Sequence, residues 1–296
     1  MAQQVITVNS KERLAILAVA LACVIWGGSF LFGKVALREM PASHVVLGRF
    51  LMASILLEPS LKRMRSTFQM KDLPLFTLSG VLMVPTMMLL QFAGLALTSM
   101  TSAALIIGMI PVLMALAAVL FDGERPMWRG WLAVILSTLG AVFLVGSPTP
   151  GRTMIGDLLV FASAVASVVW VLTARRIVAR HDSLASTALM IQLGTLTLMP
   201  ISFAMDGLPT FDYSASTWLA MAVLGIGCTA ITYSLWNWGL KVISASQAGV
   251  FVNLEPLVGA TLGIIVLHES LTSGLLLGGL LILTAAFLTT TEKAVG

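Results

Sequence analysis

Stretches of about 20 apolar residues follow one another along almost the whole chain, separated by short polar connections. A hydrocarbon layer about 30 Å thick takes a helix of about this length. Because lipid offers no hydrogen-bond partner to free backbone N–H and C=O groups, such stretches fold as helices. Charged residues make up 10% of the chain, far below the roughly 25% of soluble domains. We therefore predict an all-α integral membrane protein without a separate soluble domain.

The apolar stretches divide into ten predicted membrane spans, numbered 1 to 10 in chain order. Their limits are 13–34, 44–60, 73–97, 101–121, 128–146, 154–175, 184–205, 216–239, 245–267 and 272–291. The connections at 147–151 and 206–209 contain the Pro and Gly residues that are typical of turns.

The basic residues predict the orientation of these spans, because cytoplasmic loops carry an excess of Lys and Arg. With the N-terminus in the cytoplasm, the 17 basic residues include three on the outer side, Lys34, Arg38 and Arg152, and one within the membrane, Arg49. All the others face the cytoplasm. We therefore expect a multi-pass protein of the cell inner (plasma) membrane with both termini cytoplasmic. Since the net charge of +4 comes from these loops, it does not indicate nucleic-acid binding.

The chain matches itself at an offset of 145 residues, which places 92–144 over 237–289. Pro111 aligns with Pro256, and Glu124 aligns with Glu269, 13 residues after the proline in both copies. Five helices per copy is an odd number, so the second copy lies upside down relative to the first. We predict two inverted five-helix repeats, 1–147 and 148–296, in one bundle. Inverted repeats are typical of alternating-access carriers with a midplane site; an old duplication without transport is the alternative.

The chain resembles the EamA-type, ten-helix members of the drug/metabolite transporter superfamily. The first half contains Trp26-Gly27-Gly28-Ser29-Phe30 followed by Lys34, Pro41 and Arg49-Phe50. Both halves contain a signature of proline followed by an acidic residue: Pro111 with Gly123-Glu124, and Glu255-Pro256 with His268-Glu269. The second copy departs from the pattern at His268, where the family usually has Gly.

The resemblance implies a metabolite exporter whose cavity is formed mainly by spans 1–4 and 6–9. Several members of the family export amino acids, including aromatic ones. With the Trp and Met residues along the expected cavity, this favours an exporter of aromatic or hydrophobic amino acids. An exporter of drugs, cations or other metabolites is an alternative, and so is a scaffold or sensor that does not transport.

Glu255 is a carboxylate deep within a predicted span, where ionisable residues are costly and usually face the protein interior. It can bind a substrate ammonium or carry a coupling proton, and the alternative is a structural contact with a helix terminus. Arg49, near the outer end of span 2, can attract a substrate carboxylate. Its alternative is a structural ion pair or a helix-end contact, since from there an Arg side chain easily reaches the membrane interface.

Pro111 and Pro256 fall near the centres of spans 4 and 9. Each lacks a backbone N–H, so the carbonyls of Ile107 and Val252 lose their helical partners. The kinks should therefore face protein or a wet cavity. We expect hinges at the binding site, with static kinks that shape packing as the alternative.

The remaining cavity candidates are aromatic, Met and amide side chains: Trp26, Met87, Gln91, Met109, Trp170, Tyr233, Asn237 and Asn253, with Trp236, Trp238 and Gln247 nearby. Aromatic and Met side chains suit an apolar ligand, and packing within the bundle is the alternative for each.

Other features are expected to be structural or are absent. Glu124 and Glu269 are expected to cap the free N–H groups of the helix that follows each of them. Gly274-x-x-x-Gly278 permits close helix approach, either within the monomer or in a dimer. The sequence has no phosphate-binding Gly-x-x-x-x-Gly-Lys-Ser/Thr loop and no Cys/His cluster. We therefore expect no cofactor, no metal and no enzymatic activity, with a small molecule and membrane lipids as partners.

Overall fold

The structure, a computed structural model, describes residues 10–64, 68–122, 128–145, 151–243, 248 and 251–291. All ten predicted spans contain helix. In chain order the helices are Ser10–Ala36, Ala42–Leu57, Leu73–Val81 with Leu89–Leu97, Met100–Ile107 with Ile110–Asp122, Trp128–Val145, Met154–Val178, Ser183–Asp206, Ala215–Ala222 with Thr232–Val242, Leu254–Leu267 and Ser273–Thr291.

The helices confirm the predicted all-α membrane fold. Within the described residues, six of them are long and apolar enough to cross a membrane alone. These are the helices of spans 1, 2, 3, 6, 7 and 8, and shorter apolar helices occupy spans 4, 5, 9 and 10. The predicted boundary between residues 147 and 148 lies outside the described residues.

The packing of the spans repeats itself between the two halves. Span 1 packs on spans 8 and 9, as its equivalent, span 6, packs on spans 3 and 4. Span 2 packs on span 8, as span 7 packs on span 3. Three further pairs join equivalent spans directly: 2 with 7, 4 with 9, and 5 with 10. This pattern is that of an approximate two-fold axis between the halves.

Polar contacts at the helix ends give the relative direction of the equivalent spans 3 and 8. Thr98, at the end of span 3, donates through Oγ1 to Asp157 Oδ1 at 2.6 Å, in the first turn of span 6. Lys241, at the end of span 8, donates to the carbonyl of His181 at 3.0 Å, just beyond the other end of span 6. A helix of 25 residues is about 37 Å long. Spans 3 and 8 therefore end at opposite faces, as inverted copies must.

Four irregular helix segments lie at corresponding places in the two halves. Spans 3 and 8 each contain a π-helical segment, Leu82–Met88 and Val223–Ile231. The first contains Pro85, whose missing N–H disfavours an ordinary helical turn. Span 4 is interrupted at 108–109, and span 9 at residue 253. Both interruptions lie two to three residues before a proline, Pro111 or Pro256, whose missing N–H was expected to disturb the helix.

Small residues bring the spans into close contact. A Cβ placed on Gly140 would lie 2.8 Å from the carbonyl oxygen of Gly278, where spans 5 and 10 pack. One placed on Gly27 would lie 2.7 Å from the carbonyl oxygen of Glu255, where spans 1 and 9 pack. Gly278 therefore serves packing within the monomer.

Candidate functional site

A cavity lies at the centre of the bundle and is lined by both halves. Its lining residues are Trp26, Ser29, Arg49, Met87, Met88, Gln91, Ile107, Ile110, Ser163, Ser167, Trp170, Val171, Tyr233, Trp236, Val252 and Glu255. They come from spans 1 to 4, 6, 8 and 9. The cavity has a volume of about 70 Å³, which is room for a few water molecules.

Aromatic rings form one wall of this cavity. The ring of Tyr233 lies 5.1 Å from Trp26 and 5.4 Å from Trp170, both edge-on. Trp236 lies 5.3 Å from Trp26, and Phe50 lies 6.0 Å from Tyr233. These separations and tilts are those of favourable aromatic pairs. Spans 1, 2, 6 and 8 therefore meet in one aromatic cluster.

The π-helical segment of span 8 supplies an acceptor to its neighbours, the carbonyl of Cys228. Trp26 Nε1 and Arg49 Nη2 each donate to it at 3.1 Å. Thr232 Oγ1, on the same span, donates to it at 2.6 Å. Segments of π-helix often occur at functional sites. This one joins spans 1, 2 and 8 beside the cavity.

Arg49 is 1% exposed and lies against aromatic rings. Its Nε donates to Thr229 Oγ1 at 2.8 Å, and its guanidinium carbon lies 5.0 Å from the Phe92 ring centre and 5.5 Å from that of Phe50. Among the residues that the structure describes, it has no carboxylate partner. The interpretation that its side chain reaches the membrane interface is therefore wrong, since span 8 and the rings hold it inside.

Glu255 is 8% exposed and lies next to Pro256 at the start of the Leu254–Leu267 helix. Within the described part of the chain, its carboxyl group has no ion-pair partner. Glu255 occupies the first turn of that helix, where a carboxylate stabilises the helix terminus, as the structural alternative predicts. The cavity therefore has one acidic and one basic side chain that do not neutralise each other.

The structure brings together six of the predicted cavity residues: Trp26, Met87, Gln91, Trp170, Tyr233 and Glu255. Met109 is buried in the interruption of span 4, and Asn253 forms that of span 9; neither lines the cavity. Asn237 is buried elsewhere and donates to Thr187 Oγ1 at 2.8 Å. Gln247 and Glu124 lie outside the described residues. The predicted hinge residues Pro111 and Pro256 are buried beside the cavity without lining it.

The lining also contains three serines that were not predicted from the sequence: Ser29, Ser163 and Ser167. Each donates to the carbonyl three residues before it at 2.6 Å. On one helix, Ser163 lies four residues before Ser167, and Ser167 lies three residues before Trp170. That i, i+4, i+7 spacing places them on the face of span 6 that carries Trp170, and it was available from the sequence.

Glu269 stabilises a helix start, but not that of the helix that follows it. Its carboxylate accepts from Met100 N at 2.6 Å, from Thr101 N at 2.8 Å and from Thr101 Oγ1 at 2.6 Å. These groups belong to the N-terminus of span 4, whose free N–H groups favour a negative charge. The expected partner, span 10, is therefore corrected to span 4, which packs on span 9.

A ten-span helical bundle of two related halves, with a central cavity lined by both, defines a membrane transporter of the inverted-repeat class. The chain belongs to the EamA-like transporter family, which matches residues 13–146 and 154–291. Each of the two matches covers five of the predicted spans.

Known proteins of similar length agree with this family. An "Uncharacterized transporter" of Archaeoglobus fulgidus is 28% identical over 294 residues, 96% of this chain and 99% of that protein. The "Uncharacterized transporter YvbV" of Bacillus subtilis is 26% identical over 96% of this chain and 93% of its own. One solved crystal structure has the same fold, with a TM-score of 0.66 and 20% identity over 93% of this chain and 95% of that one.

Proposed function

We propose that the protein is a secondary carrier that exports amino acids with aromatic or other hydrophobic side chains by alternating access. One observation supports this most: four aromatic rings from both halves surround the same cavity as one buried arginine and one buried carboxyl group. These are the groups that a zwitterion with an apolar side chain requires.

Each part of an amino acid has a chemical counterpart in the cavity. A guanidinium such as that of Arg49 binds a carboxylate through charge-assisted hydrogen bonds. The carboxyl group of Glu255 binds an ammonium. The rings of Trp26, Trp170 and Tyr233 offer faces and edges to an apolar or aromatic side chain. Because Arg49 belongs to the first half and Glu255 to the second, a bound zwitterion bridges the halves.

The small cavity supports a mechanism in which the halves move. A volume of about 70 Å³ is well below the ~300 Å³ and more of small-molecule sites. Substrate entry therefore requires a rearrangement around the cavity, and the interruptions beside Pro111 and Pro256 are the proposed hinges. We place the protein in the cell inner membrane with both termini cytoplasmic, so that export releases the substrate outside. Coupling to a proton would use Glu255.

Flux into proteoliposomes tests the proposal. We expect the purified chain to transport radiolabelled L-phenylalanine and L-tryptophan faster than protein-free liposomes, and Arg49→Gln to abolish that flux. Transport of an aromatic cation such as tetraphenylphosphonium, without amino-acid flux, would instead favour the cation exporter. Absence of flux for both substrates under proton, sodium and substrate gradients would favour the scaffold or sensor.

A further inference from the structure

Two tryptophans in the cavity have indole N–H groups without a hydrogen-bond acceptor in the described part of the chain. We infer that Trp170 and Trp236, together with Arg49, form a donor-only subsite for the carboxylate of the substrate and thereby determine specificity. The inference deepens the proposed function and rests on it.

The indole nitrogens of Trp170 and Trp236 are buried without a hydrogen-bond acceptor among the residues that the structure describes. Their side chains are 3% and 4% exposed, and both line the cavity. An indole nitrogen is a donor only, and a buried donor without an acceptor destabilises the folded protein. Most buried polar groups in folded proteins are paired. Two unpaired donors at one cavity indicate a ligand that brings acceptors.

Trp26 provides an internal comparison. It lines the same cavity and lies in the same aromatic cluster. Its Nε1, however, donates to the Cys228 carbonyl at 3.1 Å. Among the described residues, one of the three indoles is thus satisfied by the backbone and two are left for a ligand. The two without an acceptor are also the more deeply buried.

Arg49 adds a positive charge to these donors. Its hydrogen bonds use Nε and one Nη2 proton, while Nη1 has no partner in the described part of the chain. A buried charge without a counterion is costly, so the group favours a ligand that is itself negative. A carboxylate has two oxygens that accept several hydrogen bonds together. It can therefore satisfy a guanidinium and indole donors at the same time.

The donors are close enough together for one small molecule to reach them. The Tyr233 ring lies 5.4 Å from that of Trp170 and 6.0 Å from that of Phe50, the neighbour of Arg49 in sequence. Trp236 lies one helical turn after Tyr233 on span 8. All three donor side chains line the same cavity, which has a volume of about 70 Å³. Glu255, the acceptor at the cavity, lies on span 9 and is free to take the opposite end of the substrate.

Three ligands of similar size separate the two ends of an amino acid. L-Phenylalanine carries both charged groups, 3-phenylpropionate carries the carboxylate alone, and 2-phenylethylamine carries the ammonium alone. Their dissociation constants are measured by thermal stabilisation of the full chain in detergent. The variants Trp170→Phe and Trp236→Phe remove a ring N–H and keep an aromatic ring. Trp26→Phe is the matched control, since it loses a ring N–H that is already bonded.

We expect Trp170→Phe and Trp236→Phe each to weaken binding of the two carboxylate ligands on the order of tenfold, the typical effect of one hydrogen bond to a charged group. Binding of 2-phenylethylamine should remain within about twofold in both variants, since a cation gains nothing from these donors. Trp26→Phe should affect all three ligands to the same extent, as a change in packing does.

The possible results are distinct. If the three Trp→Phe variants bind each carboxylate ligand with the same dissociation constant, the inference is overturned, and the carrier proposal is unaffected. Wild-type protein that binds the amine but neither carboxylate would overturn both the inference and the amino-acid carrier, in favour of the cation exporter. Binding of none of the three ligands would overturn both. If a Phe variant does not fold, indole ¹H–¹⁵N spectra of the wild-type protein decide. Two of its seven tryptophan resonances should move downfield with 3-phenylpropionate, and no movement would contradict the subsite.

Discussion

Gly108, in the interruption of span 4, lies against Pro256, three residues after the interruption of span 9. A Cβ placed on Gly108 would lie 3.1 Å from Cγ of Pro256. Glu255 directly precedes Pro256, and Ile107 directly precedes Gly108. Both Glu255 and Ile107 line the cavity. A change at this contact is therefore adjacent to the proposed binding site in both halves.

The first prediction concerns the hinges. Pro111→Ala and Pro256→Ala each restore a backbone N–H that can bond the carbonyl four residues before it. We expect each variant to shift the ratio of inward-facing to outward-facing protein, measured by the labelling of introduced cysteines from each side. Pro200→Ala is the control, because Pro200 is exposed within the uninterrupted Ser183–Asp206 helix. A ratio that stays constant in all three variants would reduce both prolines to a packing role.

The second prediction uses two neighbouring glycines in span 1. A Cβ on Gly27 would lie 2.7 Å from both the Glu255 carbonyl oxygen and Val258 Cβ, whereas one on Gly28 meets no atom within 4 Å. Gly27→Ala should lower stability by about 1–3 kcal/mol through overpacking. Gly28→Ala should raise it by about 0.5–1 kcal/mol, because glycine is a poor helix former. Thermal unfolding of both variants in the same detergent checks this, and the same sign for both would contradict the packing of span 1 on span 9.

The third prediction concerns the carboxylate of Glu269 at the start of span 4. Glu269→Ala leaves the N–H groups of Met100 and Thr101 without their acceptor, and should cost about 2 kcal/mol of stability. Glu269→Gln, which keeps one acceptor oxygen, should cost less. Glu58→Ala serves as the exposed control, with an effect within about 0.5 kcal/mol. If the unfolding temperatures of the Glu269 variants equal that of the control, Glu269 does not stabilise the start of span 4.

The fourth prediction concerns backbone strain. His268 has φ 53° and ψ 36°, a left-handed conformation that favours glycine. His268→Gly should therefore stabilise the protein by about 1 kcal/mol. Gly207 also has a positive φ, 75°, and Gly207→Ala should destabilise it by a similar amount or more. Thermal unfolding again provides the measurement, and a loss of stability in His268→Gly would show that its side chain makes a contact that outweighs the strain.

The fifth prediction concerns Glu255. If its carboxyl group binds and releases a proton during transport, Glu255→Gln fixes it in a neutral form. The variant should then lose the pH dependence of amino-acid flux, measured in proteoliposomes between about pH 5 and 8. Gln91→Asn, a polar change in the same cavity that adds no titratable group, serves as the control and should keep the pH dependence. An unchanged pH profile and affinity in Glu255→Gln would exclude a role in coupling.

The ten spans and the doubled architecture followed from the sequence, because hydrocarbon thickness sets helix length and lipid leaves no alternative to helix. The interruptions of spans 4 and 9 followed as well, since a proline always removes an N–H. Local covalent chemistry and the surrounding solvent determine these features, so single stretches such as 101–121 suffice to predict them.

The tertiary structure alone decided which side chains share the cavity. Arg49 is held by Thr229 and Cys228, some 180 residues away along the chain, and Glu269 caps span 4 rather than its own neighbour. In a membrane both the lipid-facing and the protein-facing sides of a helix are apolar, so periodicity does not distinguish them. Asn237 and Trp170 are equally buried polar-tipped residues in their spans, yet only Trp170 faces the cavity. The packing of distant helices makes that distinction, which is why it could not be predicted one span at a time.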